Sequence, residues 1–136
     1  NGLCDDPSGT VDAIAQMVDN IRRHDKDIPI YIVNTIYWGD QEKIGTMVRQ
    51  DGTAFLQGEF KNRSDKRIMD LMQAMAKKFE GKRNVELIPL ALMHNSAENF
   101  EDGDALHPGA AGYDQFAAVM YSVYCGTLPS MMENGG

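Results

Sequence analysis

Two short apolar runs constrain the fold of this chain more than anything else in it: IPIYIV at 28–33 and NVELIPLAL at 84–92. The first is continuous and β-branched, the composition of a strand buried on both faces. Between the runs, Ile68, Leu71, Met72, Met75 and Phe79 recur at helical spacing. They predict a helix over 64–80, and Gly81 is placed to end it. Strand, long amphipathic helix, strand is the pattern of a βαβ crossover, which pairs its strands in parallel. Pro89 has no N–H to give a ladder, so the second run belongs near an edge or ends early.

Helices flank this unit. Val11, Ile14, Ala15, Val18 and Ile21 mark one over 10–24, with Ser8 or Thr10 to cap it and Arg22, Arg23 and His24 suited to its last turn. Tyr113, Phe116, Ala117, Met120 and Tyr124 mark another over 109–124. The segment 35–62 contains four glycines and reads as a long loop with a short helix or turn near 41–49. The expected class is α/β, a three-layer α/β/α arrangement around a parallel sheet, over residues 1–126, with a mobile tail over 127–136. Only two strands are secure, too few for the sheet that three amphipathic helices would cover. Either further strands lie within 35–62 or, the favoured expectation, the domain is incomplete without an amino-terminal segment.

Composition narrows the function classes. The chain has 136 residues, enough for one domain with a core, and a formal net charge of −7. That charge argues against nucleic acid as a partner, because phosphate binding needs a positive field. No run of about 18 apolar residues exists, so no membrane span is expected, and no secretory signal pattern opens these residues. Cys4 and Cys125 permit a disulfide without implying one. Asn62-Arg63-Ser64 is a formal glycosylation sequon, a pattern short enough to arise by chance.

The chemistry concentrates in DALHPGAAGY, residues 104–113. The loop containing it follows the second strand, and in open α/β sheets ligands gather beyond the carboxyl ends of the strands. A histidine there suits general-base work near neutral pH, and a carboxylate that fixes its tautomer improves it. Asp104 stands three residues before His107, within reach across a tight turn, and Pro108 suits the first turn of a helix. A lone Asp-x-x-His would more often be a helix-start histidine beside a surface acid. The full string of Asp-x-x-His-Pro, glycine and an aromatic-rich last helix is what raises the catalytic reading.

That string resembles the last block of the SGNH hydrolases, also called the GDSL esterase/lipase family. The resemblance spreads over about residues 11–124, although only the Asp-His-Pro part is specific. It implies a flavodoxin-like parallel sheet and ester hydrolysis by a Ser-His-Asp triad, on an acyl ester or a carbohydrate O-acetyl ester, with no cofactor. By this resemblance Asp104 orients His107, and His107 activates a serine. The family also has an asparagine that donates to the oxyanion hole ahead of a helix. Asn1 occupies a comparable place, although the family's usual Gly-x-Asn-Asp context is not visible here, and the competing reading is a loop asparagine. Asn34 is the fallback. The family's Gly-Asp-Ser nucleophile motif is absent from this sequence. Ser8 and Ser64 look like helix caps, and Ser96, Ser122 and Ser130 lack the context. The resemblance thus implies a companion segment carrying the serine, without which the Asp-His pair has nothing to activate.

Two other readings stay open. A non-catalytic binding or structural domain derived from such a hydrolase would use Tyr37 and Trp38 to stack on a sugar, against the plainer role of packing at a strand end. His94, Glu98, Glu101, Asp102 and Asp104 would suggest a metal, but they follow neither a calcium-loop nor an H-E-x-x-H spacing, and a solvated acidic loop explains them better. No metal is expected.

Overall fold

A computed structural model of the chain describes residues 6–37, 57–94, 100 and 107–133, with side chains of the long second helix described from residue 65. The elements are α1 (Ser8–His24), β1 (Ile30–Val33), α2 (Gln57–Phe79), β2 (Val85–Ile88), α3 (Leu90–Met93) and α4 (Ala110–Glu133). The class is mixed helix and strand, mostly helical, with a two-stranded parallel sheet among the described residues.

Each helix boundary has a local cause. At the start of α1 the N-cap position is held by Pro7 and not by Ser8 or Thr10, and the Asp6 carboxylate just before it accepts the Ser8 N–H on Oδ1 at 2.9 Å. That backbone N–H and the Ser8 hydroxyl hold Asp6 below the usual carboxylate range. Asp25 closes the helix, donating its N–H to the Ile21 carbonyl at 2.9 Å. Its carboxylate then accepts the N–H groups of Asp27 and Ile28 at 2.9 and 3.0 Å, an Asx turn that swings the chain into β1 and depresses the Asp25 pKa. Gly81 stops α2 at a φ of 67°, in the left-handed region that glycine enters without strain. α2 begins at Gln57, seven residues ahead of the predicted start, so Ser64 lies inside the helix and is no cap.

The strands pair in parallel over their full length, from Ile30 opposite Val85 to Val33 opposite Ile88. Arg22 sets the amino end of this pairing. From the last turn of α1 its guanidinium donates to the Ile28 carbonyl at 2.6 Å, to Arg83 at 3.2 Å and to Asn84 at 2.8 Å. One rigid fork thus holds the lead-in segments of both strands. Asn84 adds a second tie: it sits at a φ of 54°, a conformation asparagine tolerates, and its Nδ2 donates to the Asp27 carbonyl at 2.8 Å.

Alternation along the strands sends Ile30, Ile32, Val85 and Leu87 against a core of Val11 and Val18 from α1 and Leu71, Met75 and Phe79 from α2. Tyr31 points the other way. Its ring meets that of Tyr124 on α4 with centroids 5.5 Å apart, and its hydroxyl shares a hydrogen bond with Thr127 Oγ1 at 3.1 Å. Thus α1 and α2 pack on one face of the pair and α4 on the other. A second cluster, Ile68, Met72 and Ala91 with Tyr37 and Met69, packs at the middle of α2.

Two expectations need correction. The run 84–92 does not stay extended: Pro89 ends β2 after Ile88, and Leu90–Met93 turn helical. The stretch expected to be a tail from 127 is helical through Glu133, despite Pro129 within it. Local polar groups and a tertiary anchor explain this. Thr127 Oγ1 donates to the Val123 carbonyl and Ser130 Oγ to the Thr127 carbonyl, both at 2.8 Å, while Met131 is buried. The segment expected to hold a helix near 41–49 lies outside the described residues.

Replacing Ile68, which has no exposed surface, with alanine is expected to cost about 2–5 kcal/mol in urea denaturation. Arg22→Ala is expected to cost about 1–3 kcal/mol, since hydrogen bonds from a charged donor are lost. Arg22→Lys recovers only part, because an ammonium cannot span both lead-in segments as the fork does.

Candidate functional site

Parallel pairing brings the carboxyl ends of β1 and β2 to one side, and the candidate residues follow from what leaves those ends. Asn34 comes straight after β1. It is buried, donates its N–H to the Ile88 carbonyl at 3.0 Å, and accepts the Thr35 N–H on its side-chain oxygen at 3.0 Å. Those bonds fix the end of the strand. They give Asn34 a structural role, and its side-chain oxygen is already committed to the turn. An open, mostly apolar groove of about 260 Å³ runs beside these strand ends, with Asn34, Met69, Met72, Gln73, Pro89 and Leu92 in its wall.

From β2 the chain passes through α3 to His94. This histidine is 91% buried (9% exposed), and its ring lies among aromatic neighbours. The Phe116 ring of α4 is 4.7 Å away, tilted, and the Phe100 ring 5.7 Å away, edge-on. Tyr113 extends the group, its ring edge-on to Phe116 at 5.7 Å. Neither imidazole nitrogen has a hydrogen-bond partner among the described residues. Burial pushes the His94 pKa below its ordinary value, because the charged form would lose its hydration there. Phe100 also forms an antiparallel bridge with Pro108, immediately before α4.

His107 stands next to that bridge, exposed, just ahead of α4. The carboxyl end of β2, His94, Phe100, Pro108 and His107 are therefore joined in one connected path. Asp104 and Asn1, the expected orienting acid and oxyanion donor, lie outside the described residues, as do Ser96, Trp38, Glu98, Glu101 and Asp102. Tyr37 is accounted for by packing: it rests on the Ile68–Met72 cluster, with its hydroxyl 4.0 Å from the Met69 sulfur. Burial first, and the Asp65 charge second, raise its pKa. This half-buried ring is thus engaged in packing at the strand end, the plainer of its two expected roles. Among the described residues no three His, Cys, Asp or Glu side chains gather as a metal site would require, and no helix is long and apolar enough to cross a membrane.

His94 is the residue that sequence reasoning weighed only as a metal ligand. A signal was present in part: PLALMH carries a histidine directly after an apolar run, and such a residue is dragged into the interior by its neighbours. What the sequence did not show was that Phe100 and Phe116 would converge on it. Comparison with family models, curated proteins and solved structures finds no match for this chain.

Acid sensitivity follows from the depressed His94 pKa. The unfolded chain takes up the proton at about pH 6.5 and the folded chain only at lower pH. Stability from the neutral ring is therefore complete above about pH 6.5 and falls as the pH drops toward the folded value. Thermal denaturation is expected to show a declining midpoint between pH 7 and 5, and His94→Leu is expected to remove that part of the decline. Asp6 and Asp25, whose pKa values are lowered from 3.8, add losses only below that window.

Proposed function

We propose that this chain supplies the acid–base half of a serine ester hydrolase of the SGNH type, with His107 as general base and Asp104 as the group that orients it. The observation that carries the reading is the place of His107: exposed, on the connection leaving the carboxyl end of a parallel strand, directly ahead of the last helix. That is the zone in which parallel sheets hold ligands. The finer fold belongs to the same proposal. β1 and β2 would be two strands of a larger parallel sheet in a three-layer, flavodoxin-like domain, and a companion amino-terminal segment would bring further strands and the serine.

The chemistry assigned to the residues is conventional acyl transfer. His107 accepts the proton of the companion's serine hydroxyl as its oxygen bonds to the ester carbonyl carbon. The carbonyl π-electrons move to oxygen, where hydrogen-bond donors hold the charge; Asn1 is proposed as one of them, and a donor of this kind is worth about 2.7–4 kcal/mol. His107 then returns the proton to the departing alcohol as the acyl–oxygen bond breaks. Water, activated by the same imidazole, releases the acid. Asp104 keeps the ring in the tautomer that accepts a proton and offsets the positive charge it acquires. The substrate is an acyl ester or a carbohydrate O-acetyl ester.

A fluorophosphonate probe applied to the native, complete material tests this. Labelling is expected on a serine of the companion segment, and His107→Ala is expected to slow both labelling and ester hydrolysis by about 10²–10⁴-fold. The purified 136-residue chain alone is expected to hydrolyse a short acyl ester no faster than its His107→Ala variant. Unchanged labelling after His107→Ala would remove His107 from the mechanism. A complete absence of labelling would favour a non-catalytic binding or structural domain.

A further inference from the structure

We propose that His94 is a positioning residue for His107: as a neutral ring it ties the Phe100–Pro108 bridge to α4, and on protonation it lets that bridge go. The significance of this for catalysis rests on the hydrolase reading, but the latch itself stands on the described geometry.

Four observations converge on it. His94 is 91% buried, and both ring nitrogens lack partners among the described residues. Its two ring contacts go to different parts of the chain: Phe116 belongs to α4, and Phe100 to the connection after α3. Phe100 in turn bridges Pro108, the residue next to His107. His107 thus has its backbone fixed on one side by a bridge whose other half leans on His94. Neutral imidazole fits this cluster as a flat aromatic filler. An imidazolium brings two N–H donors with nothing to receive them, and a buried polar group without a partner costs about 1–3 kcal/mol even when uncharged. Moving the ring outward relieves that cost and withdraws the support under Phe100.

The other titratable groups on the elements around the ring are few. α3 has none. α4 brings Tyr113, which touches Phe116, and the exposed Asp114; His107 lies beside the bridge. Glu98, Glu101, Asp102 and Asp104 share the connection in the sequence. Burial alone, and no neighbouring charge, accounts for the direction in which the His94 pKa moves. A transition of the bridge that follows His94 is therefore separable from carboxylate titrations, whose ordinary values lie near 4.

The test is nuclear magnetic resonance on the 136-residue chain between pH 7.5 and 4.5. The His94 ring is expected to titrate below pH 6.5, and the amides of Phe100 and Gly109 are expected to shift with the same midpoint. His94→Phe fills the cluster without a titrating group and is expected to abolish the shift at Phe100 over the same range and to change that at Gly109, which also senses the adjacent imidazole of His107. Phe116→Leu opens the cluster and is expected to move the His94 midpoint upward, toward 6.5, and the amide midpoint with it. This variant keeps the idea testable if His94→Phe does not fold. Amides that shift identically in wild type and His94→Phe overturn the proposal, as does a His94 midpoint that moves in Phe116→Leu while the amide midpoint stays put. The two levels of inference fail separately. Fluorophosphonate labelling absent at every pH sinks the hydrolase reading and leaves the latch intact, whereas labelling with a bridge that ignores His94 sinks the latch alone.

Discussion

The parallel registration of β1 with β2 is the constraint from which the rest of the described structure follows. Two four-residue strands hold few ladder bonds, so their alignment needs help from outside the ladder. Arg22 provides it by binding carbonyls on the approaches to both strands with one guanidinium. Because that fork is planar and stiff, it fixes where the two approaches lie relative to each other. Asn84 and Asp25 then turn the chain into each strand by side-chain-to-backbone hydrogen bonds. Once the amino ends are level and the register is continuous, the carboxyl ends come out level too. Asn34 and Pro89 mark that opposite rim, and His94 and His107 lie on the segment that leaves it after β2.

The rim is organised by aromatic packing more than by polar contacts. His94 joins β2's exit to α4 through Phe116, and to the bridge through Phe100. A hydrogen-bonded histidine would have one ring nitrogen committed to a partner and its orientation set by that bond. Here the ring is held by shape and by its lack of charge. Support of that kind is strong while the imidazole is neutral and turns unfavourable when it is not, which is why burial and acid response are two sides of one arrangement. The cost of such packing falls on the protonated ring, which is what makes an acid response of the rim the expected consequence.

Legibility divided along the line between local and converging information. The strand at 30–33, the helical stripe from Ile68 to Phe79 and the stop at Gly81 were readable, because periodicity and a left-handed glycine are local properties. Parallel pairing was readable from element order. Boundaries were less so. β2 looked long because NVELIPLAL is apolar throughout, and only a geometric fact, that proline cannot continue the ladder, shortens it to Val85–Ile88. The α4 extension past residue 124 was hidden because Pro129 normally ends a helix, while the contact that keeps Thr127 in place comes from Tyr31, 96 residues earlier. The cap of α1 was expected at Ser8 or Thr10, whereas the helix starts behind Pro7 with the Ser8 N–H bound to Asp6, because several polar residues in a row present the same pattern in one dimension. At the candidate site, Asp-x-x-His-Pro flagged His107. The aromatic surroundings of His94 needed three separate segments to meet, and no spacing rule describes that.

The distribution of apolar surface bears on whether two strands suffice for this domain. Odd residues of β1 direct their backbone groups away from β2, since the ladder bonds to β2 involve Ile30 and Asn34. Val33 is exposed at that strand, as is Ile28 before it, and on α1 Met17 and Ile21 are exposed as well. On the face that Tyr31 and Val33 share, α4 shows Met120, Tyr121, Tyr124 and Met132 to solvent although the helix is apolar nearly all round. A helix of that composition is suited to cover on more than one side. A lone parallel pair is also marginal by itself, because parallel sheets are ordinarily buried on both faces and built from more strands. These features need a common remedy, and further strands laid beside β1 would provide it by extending the sheet under α1 and α4 together. They support the larger sheet proposed for this domain on grounds independent of the histidine. The exposed apolar surface thus supports the proposed companion segment by a route that does not pass through the proposed chemistry of His107.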